Sequence, residues 1–245
     1  MPTRRAEKSK PGAPLFLLAG GRGAVKKRGT DPLLTGAIQQ AGTSRPSVAY
    51  VGAASGDNAA FRVFIGRMLK SAGAGEIVPA LLCGKRADPA KAAGVISAAD
   101  LVFISGGDVE EGMRVLEEKG MIPVLRTVYK SGRPFFGVSA GSIMLAKSWV
   151  RWTDPEDDAS VELFHCMGFA SVLCDTHGED DGWGELQAML ALCPTGTTGY
   201  GIVSGTALVV APDGDVAARG GDVHVFRRRA SGVVQIASLR PIKET

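Results

Sequence analysis

Five short apolar runs, at residues 15–19, 48–51, 76–81, 101–104 and 134–138, constrain this chain more than any other feature. Several end in glycine or serine. Segments 59–72, 109–118, 122–129 and 142–147 read as helices. Near-continuous apolar runs alternating with helices indicate parallel strands covered on both faces, because an exposed face would show polar residues at every second position. The expected fold is α/β, with a mostly parallel central sheet flanked by helices. Pro79 inside the third run places that strand at a sheet edge or ending there, because proline cannot donate to a ladder. After Trp149 the pattern changes. Residues 151–160 read as a polar, acid-rich loop and 187–192 as a helix. From Thr206 onward, residues 207–211, 216–219, 223–227 and 233–237 read as a C-terminal β-meander, with turns at Pro212-Asp213-Gly214 and Gly220-Gly221-Asp222. The organisation is a disordered basic tail over residues 1–12 and a single α/β domain over 13–245.

Composition narrows the class. The chain has 245 residues, enough to bury a substantial core, and its 45% hydrophobic and 22% charged residues are ordinary for a globular protein. Arg4, Arg5, Lys8 and Lys10 against Glu7 supply much of the net charge of +3, and aromatics make up only 6%. A nucleic-acid surface needs a larger basic stripe interleaved with aromatics, so no nucleic-acid partner is expected. The four cysteines form no CxxC pair and the three histidines no HExxH run, which argues against a metal site; no cofactor is expected either. Free thiols fit a reducing cytoplasm. No apolar stretch reaches the ~18 residues that span a bilayer, so a cytoplasmic location without a membrane partner is the expectation.

The chemistry centres on Gly137-Val138-Ser139-Ala140-Gly141. A serine hydroxyl becomes a useful nucleophile only when exposed, well placed and beside a base. Here a buried strand stops and a helix begins nearby, so Ser139 falls on a sharp strand-to-helix turn whose small neighbours leave its hydroxyl free. Ser142 is the better candidate to cap the helix, which leaves Ser139 without a structural task. Ser105-Gly106-Gly107-Asp108 closes the fourth run. Ligands of open α/β sheets bind at the carboxyl ends of strands. An uncovered N–H of the glycine pair is positioned to join that of Ala140 as an oxyanion hole, a device worth ~3 kcal/mol per donor. A plain turn with Asp108 capping the next helix explains the same residues equally well. Of the three histidines, His224 lies in an alternating strand and His165 in a mixed segment. His177 follows the apolar run 170–174 at a strand end, and is the candidate base.

With these runs in place, the sequence resembles the peptidase E and cyanophycinase family of serine peptidases, which shares the class I glutamine amidotransferase-like, flavodoxin-like fold. The resemblance covers roughly residues 15–211. It rests on Phe103-Ile104-Ser105-Gly106-Gly107-Asp108, Gly137-Val138-Ser139-Ala140-Gly141, Asp175-Thr176-His177 and Gly199-Tyr200-Gly201-Ile202, in that order. It implies Ser139 as nucleophile, His177 as base, and Gly107 with Ala140 as the oxyanion hole. It also implies cleavage after aspartate.

Two departures qualify those implications. The family tends to carry an acid at the position of Ser204. Replacing the acid of a triad costs about ten-thousandfold in rate, because the carboxylate orients the imidazole and stabilises its cation. A serine hydroxyl can still accept the Nδ1 hydrogen bond, giving a weaker Ser139–His177–Ser204 arrangement; the alternative acid is Asp154. The family's arginines shortly after the histidine are also missing. The chain has Glu179, Asp180 and Asp181 there, which as a pocket wall would repel an acidic substrate together with Asp108, and as a solvated loop would do nothing. The expected activity is hydrolysis of small peptides or related amides without preference for aspartate. The alternative is a catalytically weakened member acting as a binding or regulatory protein. A homodimer is left open. An ordinary α/β-hydrolase would carry its acid and histidine on later strands, and a glutamine amidotransferase would carry cysteine at the turn.

Overall fold

The computed structural model describes residues 12–20 and 30–242. The basic tail expected over residues 1–12 therefore lies, apart from Gly12, outside the described residues. Among the described residues, no helix is long and apolar enough to cross a membrane.

The five apolar runs form β1 (Leu15–Leu18), β2 (Val48–Val51), β3 (Ile77–Ala80), β4 (Leu101–Ile104) and β5 (Phe135–Val138). The helices between them are α1 (Pro32–Gln39), α2 (Ala59–Ser71), α3 (Pro89–Ala98), α4 (Val109–Glu118) and α5 (Met121–Lys130). These strands pair in parallel in the order β1-β5-β4-β2-β3, with Pro79 on the edge strand as expected. Alternate residues of one strand face opposite ways, so each strand feeds two cores. Phe16 and Leu18 pack with α1 and α2 side chains such as Leu34, Ile38 and Leu69. Leu15 and Leu17 belong to the core that holds Ile96, Leu116 and Leu125 from α3, α4 and α5. The chain thus leaves β1 and β2 toward one face, and β3 and β4 toward the other. This reversal opens a crevice beyond the carboxyl ends of the strands.

Beyond β5 lie α6 (Ala140–Leu145), β6 (Ser148–Trp152), β7 (Val161–His165), β8 (Leu173–Thr176), α7 (Gly184–Ala191) and β9 (Thr198–Ile202). The polar loop expected over residues 151–160 is only the tip of an antiparallel β6–β7 hairpin. The last strands are β10 (Ala207–Val210), β11 (Val216–Arg219), β12 (Val223–Arg229) and β13 (Gly232–Leu239). They form two hairpins rather than one continuous meander. β10 and β11 extend the central sheet antiparallel to β1, whereas β12 and β13 join β8 and β9 in a second sheet ordered β13-β12-β9-β8. The Gly220-Gly221 turn carries the chain from one sheet to the other. Trp183, Leu186 and Leu190 fill a third core between α7 and the second sheet.

Candidate active site

Ser139 is the single residue between β5 and α6. Its backbone sits at φ 54 and ψ −126, a region that L side chains rarely adopt and that costs of order 1–3 kcal/mol. The neighbouring packing holds it there. Its N–H donates to the Leu18 carbonyl at the end of β1 (2.9 Å), and its own carbonyl accepts from Ser142 N–H (2.8 Å). Ser142 does not cap the helix; buried inside α6, it donates its hydroxyl to the same Leu18 carbonyl (2.8 Å). A Cβ on Gly141 would run into the carbonyl of Ile104, so only glycine lets α6 start this close to β4. The Ser139 hydroxyl makes no cap, and the residue lines a pocket.

The end of β4 lies beside it, with Ile104 opposite Gly137 in the parallel ladder. Gly107 sits at φ +145, and a Cβ there would strike the carbonyl of Ala54, so the position requires glycine twice over. A Cβ built on Gly106 would stand 3.2 Å from Ser139 Cβ and 3.8 Å from its Oγ. Gly106 therefore lies beside the Ser139 side chain. Asp108 is committed elsewhere. Its carboxylate accepts from Glu111 N–H (2.8 Å) as the N-cap of α4, and it borders a separate depression with Glu110, Arg114 and Arg151. The structure does not bring it into the Ser139 pocket.

His177 follows β8, and Ser204 follows β9 two residues past its end. These strands are parallel with Thr176 opposite Ile202, which brings the ends together across 27 residues of chain. His177 takes a positive φ of 65, turning its ring out of the strand. Its Nδ1 lies 3.0 Å from Ser204 Oγ. Two backbone bonds, Gly205 N–H to the Gly20 carbonyl (2.8 Å) and Ala19 N–H to the Thr206 carbonyl (3.1 Å), tie this turn to the end of β1. Ser139 and His177 thus line the same pocket. No direct hydrogen bond joins them in the described structure.

The expected acids are distributed differently. Asp154 sits exposed at the tip of the β6–β7 hairpin, where its carboxylate accepts from Glu156 N–H (3.0 Å); no hydrogen bond joins it to His177. The run after His177 does not line the pocket among its described residues. Asp181 accepts from Trp183 N–H (2.9 Å) and Asp180 is exposed. Glu179 turns back to accept from Ser204 N–H (3.0 Å). Burial opposes its charge, but the Ser204 hydroxyl and N–H, with the His177 ring, more than compensate and hold its carboxyl below the usual range. The other histidines serve elsewhere: His165 Nδ1 meets Ser148 Oγ (3.2 Å), and His224 Nδ1 meets Gln235 Nε2 (2.8 Å). Burial pushes up all four thiols, Cys166 to about 12.

The pocket measures about 360 Å³. Its described wall is largely apolar, with Leu34 from α1, Phe61, Phe64, Ile65 and Met68 from α2, and Phe103 from β4. Asp31 also lines it, but its carboxylate accepts from Leu33 N–H (2.9 Å) at the start of α1. The contribution of α2 was not expected from sequence. The available signal is Phe64, a large apolar side chain that remains 53% exposed on a helix whose buried residue is Leu69.

The comparisons bear on the family and the fold. The model of peptidase family S51 matches residues 15–216. Peptidase E of Pasteurella multocida (strain Pm70) is 30% identical over 141 residues, 54% of this chain and 59% of that protein. The chain therefore spans about three fifths of that relative's length. The crystal structure of a peptidase from an acI-B1 Actinobacterium superposes with a TM-score of 0.68 at 17% identity, covering 93% of this chain and 96% of the other. A putative peptidase E protein from Listeria monocytogenes EGD-e gives 0.58 at 12% identity, covering 84% and 98%. At these identities the two structures speak for the fold.

Proposed function

Because the chain belongs to peptidase family S51, we propose that it is a serine peptidase or related amidohydrolase of small peptides, with Ser139 as nucleophile and His177 as base. The observation that carries this reading is the strained Ser139 turn, whose hydroxyl caps nothing and which lines the same pocket as His177. In the mechanism, Ser139 Oγ attacks the scissile carbonyl while His177 Nε2 takes its proton. The N–H groups of Gly107 and Ala140 receive the developing oxyanion. The imidazolium then protonates the leaving amine, and water repeats the sequence on the acyl-enzyme.

The reading extends to specificity. The apolar wall from α1 and α2 favours a neutral side chain next to the attacked carbonyl over the aspartate that the resemblance implies. Hydrolysis of Asp-X, Leu-X, Ala-X and Arg-X dipeptides by the purified protein tests both parts. Turnover that disappears in Ser139→Ala and His177→Ala supports the mechanism, and faster turnover of Leu-X than Asp-X supports the specificity. A clear preference for Asp-X would overturn the specificity alone.

Ser204 at the family's acid position favours a second reading, a weakened member that binds peptides without cleaving them. Stoichiometric peptide binding without turnover in the same assay would select it.

A further inference from the structure

The position where the resemblance implies an acid holds Ser204, and a serine hydroxyl alone is an ambiguous partner for an imidazole. It can accept a proton from Nδ1–H or donate its own to a bare Nδ1. Only the first arrangement leaves Nε2 unprotonated and able to act as base toward Ser139. Something must therefore fix the direction of the Ser204 hydroxyl, and the structure supplies a candidate. Glu179, two residues past His177, turns back so that its carboxylate accepts from the Ser204 N–H at 3.0 Å, while the Ser204 Oγ stands 3.0 Å from His177 Nδ1.

We propose that Glu179 is the acid of this site, acting on His177 through Ser204 in a Glu179–Ser204–His177 relay. The inference rests on the assignment of His177 as the base. A carboxylate accepts and does not donate when ionised, so in the proposed relay the Ser204 hydroxyl proton turns toward Glu179, whose described bond is to the Ser204 N–H. The Ser204 oxygen then has only lone pairs to offer Nδ1. The result is a one-way chain, Nδ1–H to Oγ and Oγ–H to carboxylate, that selects the Nδ1–H tautomer. The negative charge at its far end also stabilises the imidazolium formed when Ser139 is deprotonated. No proton need pass along the chain. The parallel pairing of β8 and β9 makes the relay possible, because it presents residues 177, 179 and 204 at one sheet end. Glu179 is a positioning residue in this account, since it touches His177 only through Ser204.

The relay is exposed to solvent and screened, so its loss costs less than that of a direct triad acid. Glu179→Gln keeps the shape and the bond from Ser204 N–H but removes the charge. Two measurements test it, the rate of labelling by a fluorophosphonate probe and the tautomer of His177 read from its ring nitrogens by NMR. The expected results are labelling roughly tenfold slower in both Glu179→Gln and Ser204→Ala, no further loss when the two are combined, and a shift from the Nδ1–H toward the Nε2–H tautomer in each. Ser204→Asp in a Glu179→Ala background is expected to restore the tautomer and most of the labelling. Wild-type labelling and an unchanged tautomer in Glu179→Gln would overturn the relay while leaving Ser139 and His177 in their roles. If the wild-type protein does not label at Ser139, the parent reading fails. The tautomer shift still decides the relay, which stands if Glu179→Gln moves the tautomer and falls if it does not.

Discussion

The two halves of the site are built by different physics. The half around Ser139, the proposed nucleophile, is a backbone construction. Ser139 hangs from β1 through Leu18, and glycines at 107 and 141 occupy spaces too tight for a Cβ. The half around His177, the proposed base, is a side-chain construction at the end of a second sheet, where exposed His177 and Glu179 meet half-buried Ser204 through 3.0 Å hydrogen bonds. Backbone packing fixes geometry through exclusion, so it admits few sequences. Exposed side-chain bonds fix geometry weakly, so their partners can be exchanged. The contrast fits the resemblance, in which the glycines and Ser139 match while the position of the implied acid holds Ser204.

The two halves should respond to mutation in opposite ways. The largest effect belongs to Gly141→Ala. Its new Cβ meets backbone, which cannot move aside, so a loss of roughly 3 kcal/mol in chemical denaturation is expected, with soluble yield falling accordingly. Ser204→Ala, by contrast, should unfold within about 0.5 kcal/mol of wild type despite its slower labelling. Equal stability losses for the two would remove the distinction between the halves.

Next comes Asp175, buried on β8 two residues before His177. Burial first, and then the negative charges of Glu185 and Asp181, raise its carboxyl to about 7 against the hydrogen bond from Thr176 N–H (2.7 Å). Its folded pKa lies above the unfolded value of ~3.9, so the folded state holds the proton more tightly. Stability therefore falls as pH rises through the window from ~4 to about 7, and the full penalty persists above it. Denaturation at about pH 5 and about pH 8 should show this loss on the order of a few kcal/mol in wild type, and Asp175→Asn should reduce it. An unchanged pH dependence in the variant would place the pH sensitivity elsewhere.

The smallest effect is expected for Asp154→Asn. That carboxylate serves only an exposed turn, so labelling rate should match wild type and stability should change by no more than about 0.5 kcal/mol. A large loss of labelling would restore Asp154 as the acid and dissolve the relay.

The same contrast governs what the sequence discloses. The five parallel strands are legible because both faces are buried, which leaves unbroken apolar runs such as Leu101-Val102-Phe103-Ile104. Ser139 is legible because its turn is local and needs small neighbours at fixed spacing. The β6–β7 hairpin is obscured by its acid-rich tip, and β7 is only partly buried, so its apolar pattern is weak. The helix starts at Asp31-Pro32 and Asp88-Pro89 carry a readable signal, a capping carboxylate followed by a proline that needs no amide partner. The division of the last four strands between two sheets depends on long-range pairing that no local pattern encodes. Glu179 is hidden for the same reason. In sequence it heads a run of acids; only the pairing of β8 with β9 reveals Ser204 as its neighbour.

The most direct test of the central claim is to locate the adduct of a fluorophosphonate probe by peptide mass mapping. The account predicts a single modification on Ser139, absent in Ser139→Ala and strongly slowed in His177→Ala. An adduct on another residue, or labelling of Ser139 at an undiminished rate without His177, would contradict it.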